Sequence, residues 1–325
     1  MNILVTGAAG FLGSRLVRAL LTDASGLRVS RVIAADTSVC AIDDPRIESH
    51  VGTITDSAFL KSVAQADVSI AYHLAAIVSG QAESEFDRGM RVNLDATRNL
   101  LETCRRLATT PRLVFTSTVG VFGGPLPHVV PDDAVVWPQS SYGTAKAIAE
   151  LLVNEYSRRR FIDGIIVRLP TIAIRPGRPN AALSSFVSGI IREPLSGRPS
   201  VCPVPLDTRL WISSPDVVIR NLVRAAHVDT SLLGSRRAVN LPGLCVTAGE
   251  MLASLERLGG PAVRARVECK VDDAIAGIVS TWPGALDSSR ALRLGFHADR
   301  SIDDVVRQFM AETGASRDTR PAEER

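Results

Sequence analysis

The chain has 325 residues, 46% hydrophobic and 22% charged, with a net charge of +3. That composition specifies a globular protein of one large or two ordinary domains and excludes a disordered chain. The charge is small and dispersed, so no nucleic-acid stripe is expected, and no apolar run is long enough to cross a bilayer.

Cys40, Cys104, Cys202, Cys245 and Cys269 are scattered and odd in number, without C-x-x-C. Neither a disulfide framework nor a metal site is expected, and a reducing cytoplasm is. Met1 leads straight into an apolar run with no charged signal-peptide region.

Asn2-Ile3-Leu4-Val5-Thr6 reads as a strand buried on both faces. Gly7-Ala8-Ala9-Gly10-Phe11-Leu12-Gly13 follows, then Leu16, Val17, Leu20 and Leu21 at helical spacing. Strand, glycine turn and helix in this order cradle a pyrophosphate: the glycines permit close backbone approach, and the helix N-terminus offers free N–H groups. The spacing is G-x-x-G-x-x-G rather than G-x-G-x-x-G. Arg31-Val32-Ile33-Ala34-Ala35-Asp36 is a second strand ending in an acid 23 residues past Gly13. A carboxylate there accepts ribose hydroxyls and repels a 2′-phosphate, so NAD is expected rather than NADP.

Asp56 precedes a helix and is either an adenine contact or that helix's N-cap. Residues 68–72 form a strand leading into His73-Leu74-Ala75-Ala76, whose small residues let backbone approach the cofactor. His73 is expected to be packed and hydrogen-bonded rather than catalytic. Residues 85–107 read as one long helix, with Asn93 interrupting its apolar stripe and placed to brace site backbone. Residues 112–117 are another buried strand, with Thr118 just past its C-terminal end, where open parallel sheets bind ligands.

Ser141-Tyr142-Gly143-Thr144-Ala145-Lys146 carries the chemistry. Tyrosine and lysine four apart share a helix face. A nearby ammonium favours phenolate and is expected to bring the phenol down towards working pH, where it can take an alcohol's proton. Only three lysines, Lys61, Lys146 and Lys270, occur in the chain, which makes the pairing more specific.

Together, the glycine turn, Asp36, residues 73–76, Asn93, residues 115–123 and Tyr142/Lys146 resemble the extended short-chain dehydrogenases/reductases. The resemblance implies an α/β fold: a Rossmann-type doubly wound parallel sheet with a smaller C-terminal α+β substrate domain. It implies NAD as cofactor, Tyr142 as general acid/base, Thr118 on the substrate oxygen and Lys146 also on the nicotinamide ribose. Pro170 would lie near the nicotinamide. Residues 1–169 plus about 208–243 would form the NAD domain. Residues about 170–207 plus 244–315 would form the substrate domain, with 316–325 frayed.

In the second half, Arg175-Pro176-Gly177-Arg178-Pro179-Asn180 is a breaker-rich loop whose Arg175, Arg178 and Asn180 could grip an anion. Residues 181–197 and 217–227 read as helices, 238–241 as a strand, 247–258 as a helix and 263–267 as a strand. Arg209 begins a stretch resembling the family's R-D-[FY]-[IV]-x-V-x-D, in which the arginine faces substrate; Leu210 replaces the acid. A dehydratase would need an acid beside Thr118, but Val119 and Gly120 follow it. Pro242-Gly243-Leu244 departs from the G-x-G loop of nucleotide-sugar members. Residues 86–93, 121–127, 175–180 and 189–195 resemble the family's small sugar-acid dehydrogenases, implying oxidation at C2. A nucleotide-sugar epimerase and a non-catalytic NAD-binding protein are the alternatives. The resemblance, with apolar second faces on the helices at about 85–107 and 141–158 (Ile148, Leu151, Leu152), implies a homodimer through those helices.

Overall fold

The computed structural model describes residues 1–315, apart from 65–66, 178 and 180–181. The first half alternates strand and helix. In order come β1 (Asn2–Thr6), α1 (Phe11–Leu20), β2 (Arg31–Asp36), β3 (Ile47–Val51), α2 (Ser57–Val63) and β4 (Val68–His73). Next are α3 (Ser79–Ser84), α4 (Phe86–Met90), α5 (Ala96–Cys104), β5 (Arg112–Thr118), α6 (Ser141–Arg158) and β6 (Asp163–Leu169). The expected single helix over 85–107 is broken. Glu85 leaves helical backbone at φ −122°, ψ 64°, and Arg91–Asp95 forms a π-helical turn before α5.

The second half begins with β7 (Thr171–Ile172), α7 (Ser185–Leu195), β8 (Ser200–Cys202), β9 (Arg209–Ser213) and α8 (Pro215–His227). It continues with β10 (Ala238–Asn240), β11 (Leu244–Thr247), α9 (Ala248–Gly259), α10 (Pro261–Arg264) and β12 (Val267–Cys269). Helices α11 (Asp273–Val279), α12 (Ser289–Arg293) and α13 (Ile302–Thr313) complete it. The strand expected at 263–267 is a correction. Gly260 at φ +94° and Pro261 at the first helical position start a helical turn, and pairing with β8 begins only at Val267.

Seven parallel strands form the main sheet in the order β10-β6-β5-β4-β1-β2-β3. The order reverses between β1 and β4, which opens a crevice at their C-terminal ends. Alternation along each strand serves both faces. Ile3 and Val5 pack with Leu16 and Val17 of α1 and Leu222 of α8, while Leu4 packs with Leu60 of α2, Leu101 of α5 and Val153 of α6. Burial of each such side chain contributes roughly 1.5–3 kcal/mol. A third core, including Ile174, Ile190, Ile212, Met251 and Phe309, joins α7, α9 and α13 around the smaller sheets. The doubly wound sheet and smaller α+β region are therefore those expected from the sequence.

Candidate active site

Both sides of the crevice are built from backbone. Gly7 has φ +76°, and a Cβ there would lie 2.7 Å from the Ala75 nitrogen. At Gly13 it would lie 1.9 Å from the Gly7 carbonyl oxygen. The turn after β1 thus folds on itself and touches the segment after β4. Leu74 N–H donates to the Thr6 carbonyl (3.1 Å), and Leu74 and Ala75 are half-buried beside exposed Ala76. Helix α1 starts at Phe11 with Gly10 as N-cap and no side-chain cap, and Phe11 and Leu12 are half-buried. Its first N–H groups therefore suit a phosphate anion.

Asp36 closes the same end of β2, where its carboxylate accepts from Ala9 N–H (2.9 Å) and Ser38 N–H (3.3 Å). It ties down the glycine turn and keeps further lone pairs for ribose hydroxyls. These residues fit a dinucleotide. Asp56 is exposed and caps α2 by accepting from Ala58 N–H (2.8 Å). Asn93 lies in the π-helical turn and spends both ends of its amide on Ile77, accepting its N–H (2.8 Å) and donating to its carbonyl (3.0 Å). It braces the segment that carries Ala75 and Ala76. Pro170 is buried at the end of β6.

His73 is fully enclosed. Thr97 Oγ1 donates to the Asn93 carbonyl (2.9 Å), so it accepts from His73 Nε2–H (2.9 Å), and Nδ1 accepts from Thr6 Oγ1 (2.7 Å). Burial, and then the Lys146 charge, push its pKa down to about 3, which keeps the imidazole neutral.

Ser140 caps α6 by accepting from Gly143 N–H (3.1 Å), and the helix carries Tyr142 and Lys146 one turn apart, with Lys146 against β5. Lys146 is 2% exposed. Its Nζ donates to the Thr116 carbonyl (2.8 Å), lies 4.6 Å from the Phe115 ring centre and 5.9 Å from that of Tyr142. Burial pushes the ammonium down to about 8, opposed by Glu150. Tyr142 departs from expectation: desolvation pushes its phenol up to about 12. No described residue donates a hydrogen bond to its oxygen, and Lys146 directs its bond to Thr116, so loss of water outweighs the nearby charge. Thr118 is half-buried at the end of β5, where Oγ1 accepts from Gly120 N–H (3.0 Å).

Arg175 is half-buried beyond β7; its N–H donates to Ser188 Oγ (3.1 Å) and its carbonyl accepts from Arg192 (2.9 Å). Arg178 and Asn180 lie outside the described residues. Arg209 donates to Cys245 Sγ (2.9 Å) and contacts His128. It shares one face of β9 with Trp211, which clusters with Val119, Val121 and Ala147 beside the turn after Thr118.

Sequence reasoning did not name Glu150 or Ser117. Glu150 accepts from Ser117 Oγ (2.5 Å) and from Arg168 Nε (2.9 Å) and Nη2 (2.6 Å), inside the site wall. An acid four residues beyond Lys146, on a buried helix face, was the available signal.

The sequence pattern of the NAD dependent epimerase/dehydratase family matches residues 3–236, and the chain belongs to that family. Its relatives include D-erythronate dehydrogenase of Cupriavidus necator, 50% identical over 98% of this chain and 100% of that one. D-erythronate dehydrogenase of Haemophilus influenzae is 42% identical over 95% of this chain and 99% of its own. Among solved structures, a nucleoside-diphosphate-sugar epimerase from Agrobacterium tumefaciens superposes with a TM-score of 0.92 at 38% identity, covering 98% and 96% of the two chains.

Proposed function

We propose that this protein is an NAD-dependent dehydrogenase that oxidises D-erythronate at C2 to 2-oxo-D-erythronate. The observation that carries the reading is near-full-length likeness to two D-erythronate dehydrogenases, in a chain that sets the Lys146 ammonium 5.9 Å from the Tyr142 ring centre and packs α6 against the turn after Thr118. Gly7, Gly10, Phe11, Leu12, Gly13, Asp36, the 74–76 segment and Pro170 would hold NAD, with Asn93 behind them. NAD, when bound, supplies the acceptor for the C2 hydride and a positively charged ring.

Thr118 Oγ would hold the substrate hydroxyl, and the Tyr142 phenolate would take its proton as the C2–H bond breaks, the electron pair leaving with that hydrogen as hydride. The Tyr142 proton must become easier to lose once the site is filled, since burial alone holds it. Lys146 supplies a fixed ammonium beneath the phenol. Arg175, Arg178 or Arg209 would take the carboxylate, with Asn180 on a hydroxyl. The segments at about 170–207 and 244–315 form the substrate side.

A nucleotide-sugar epimerase is the competing reading, favoured by the name of the Agrobacterium structure. The test is incubation with NAD⁺ and a panel of four- and five-carbon acids, UDP-sugars and GDP-sugars. NADH should accumulate with D-erythronate; epimerised UDP-sugar without net NADH would overturn the reading.

The protein would work in the cytoplasm; no described helix is long and apolar enough to cross a membrane. Exposed Leu151 (68%) and Phe86 (57%) would pair two copies. Leu152 instead packs towards the sheet. Sedimentation as a monomer at micromolar concentration would refute the dimer.

A further inference from the structure

Tyr142, Lys146 and Glu150 stand four residues apart, so they line one stripe of α6. Lys146 and Glu150 are 2% and 5% exposed, and Arg168 on β6 is 7% exposed. Arg168 grips the Glu150 carboxylate with two nitrogens, reaches Asn240 Oδ1 with a third (3.3 Å) and lies 4.9 Å from the Phe122 ring centre. Ser117, paired in register with Arg168, donates its hydroxyl to the same carboxylate. Thr118 is the next residue, and Phe122 ends the turn that follows it. Glu150 therefore touches the strand that ends in Thr118, and through Arg168 reaches the turn that follows it, while lying one turn from Lys146.

We infer that Glu150 is a positioning residue of the catalytic centre: one helical turn from Lys146, its charge acts on that ammonium and, through Ser117 and Arg168, it holds the Thr118 turn against α6. A buried ion pair is a poor device for stability alone, because apolar residues of similar volume serve as well or better. Its use here follows from what surrounds Lys146. Phe115 and the Thr116 carbonyl come from β5, neutral His73 from β4, and Tyr142 from α6. Glu150 is the anionic group identified near that buried cation, and it opposes loss of the proton. This rests on Tyr142 and Lys146 being the catalytic pair.

The test uses the small number of lysines. With ¹³Cε-labelled lysine, only Lys61, Lys146 and Lys270 give signals, so Lys146 can be titrated without substrate. Glu150→Gln should move the Lys146 midpoint down by about one pH unit, a tenfold loss of proton affinity. The alkaline limb of kcat should move with it, while KM changes less than kcat. Since Glu150→Gln strands a buried Arg168, Glu150→Met/Arg168→Met is measured alongside; it removes both charges and should shift in the same direction. An unchanged Lys146 titration and pH profile in a folded variant would overturn the inference, whatever the melting temperature does. Turnover persisting in Tyr142→Phe would instead remove the catalytic pair itself, a separate failure.

Discussion

Gly143→Ala is the sharpest test of how the site is assembled. Intrinsic helix propensity favours alanine by about 1 kcal/mol, so an isolated helix would gain. Here an added Cβ would lie 2.2 Å from the Gly120 carbonyl oxygen and 2.9 Å from Pro138 Cβ. Relief needs a displacement of about 1 Å between α6 and the 118–121 turn, since van der Waals contact begins near ~3.4 Å. Gly120 N–H also holds Thr118 Oγ1, so the shift reaches the hydroxyl proposed to hold the substrate oxygen. Misplacement of about 1 Å costs on the order of 10²-fold in rate, or about 2.7 kcal/mol of barrier. Steady-state NADH formation from D-erythronate should show kcat reduced about that much, while NAD affinity, read by calorimetry, holds. The assay is run well below the variant's melting temperature, because overpacking itself destabilises by about 1–3 kcal/mol. A kcat within twofold of wild type would refute the claim that this glycine contact sets Thr118 against Tyr142.

Other substitutions probe the remaining parts. Tyr142→Phe should bind NAD normally and lose nearly all turnover, checked by calorimetry and single-turnover absorbance. Asp36→Ala should free two loop N–H groups and relax the preference for NAD; unchanged discrimination against NADP would exclude Asp36 from the ribose site. His73 gives a pH signature: its folded pKa, about 3, lies below the unfolded value near ~6.5. Its neutral form therefore contributes stability that is present above pH ~6.5 and lost as pH falls towards 3, at up to about 1.4 kcal/mol per unit. Urea midpoints for wild type and His73→Gln should converge over that window.

Much of this architecture was legible because parallel strands buried on both faces are written as apolar runs. β1, β2, β4, β5 and β6 all have that form, and each ends where a ligand residue was sought. β3 was harder: Ile-Glu-Ser-His-Val is polar and solvent-facing, as an edge strand can be. The turn at Pro261 was misjudged because Val263 and Val267 suggest a strand, whereas Gly260 and Pro261 set the backbone first. Tyr142 and Lys146 stood out by spacing, but the direction of the phenol's shift did not. Spacing supplies the neighbouring charge; only the fold supplies the desolvation and the carbonyl to which Lys146 turns. The pairing of Arg168 with Glu150, 18 residues away on α6, emerged only when β5, β6 and α6 were assembled.

The most direct test of the central claim uses D-erythronate carrying deuterium at C2, mixed with the protein and NAD⁺. The account predicts deuterium on the reduced cofactor, 2-oxo-D-erythronate as the product, and loss of both in Tyr142→Phe. Reduced cofactor without the label, or label transfer that survives removal of the phenol, would contradict it.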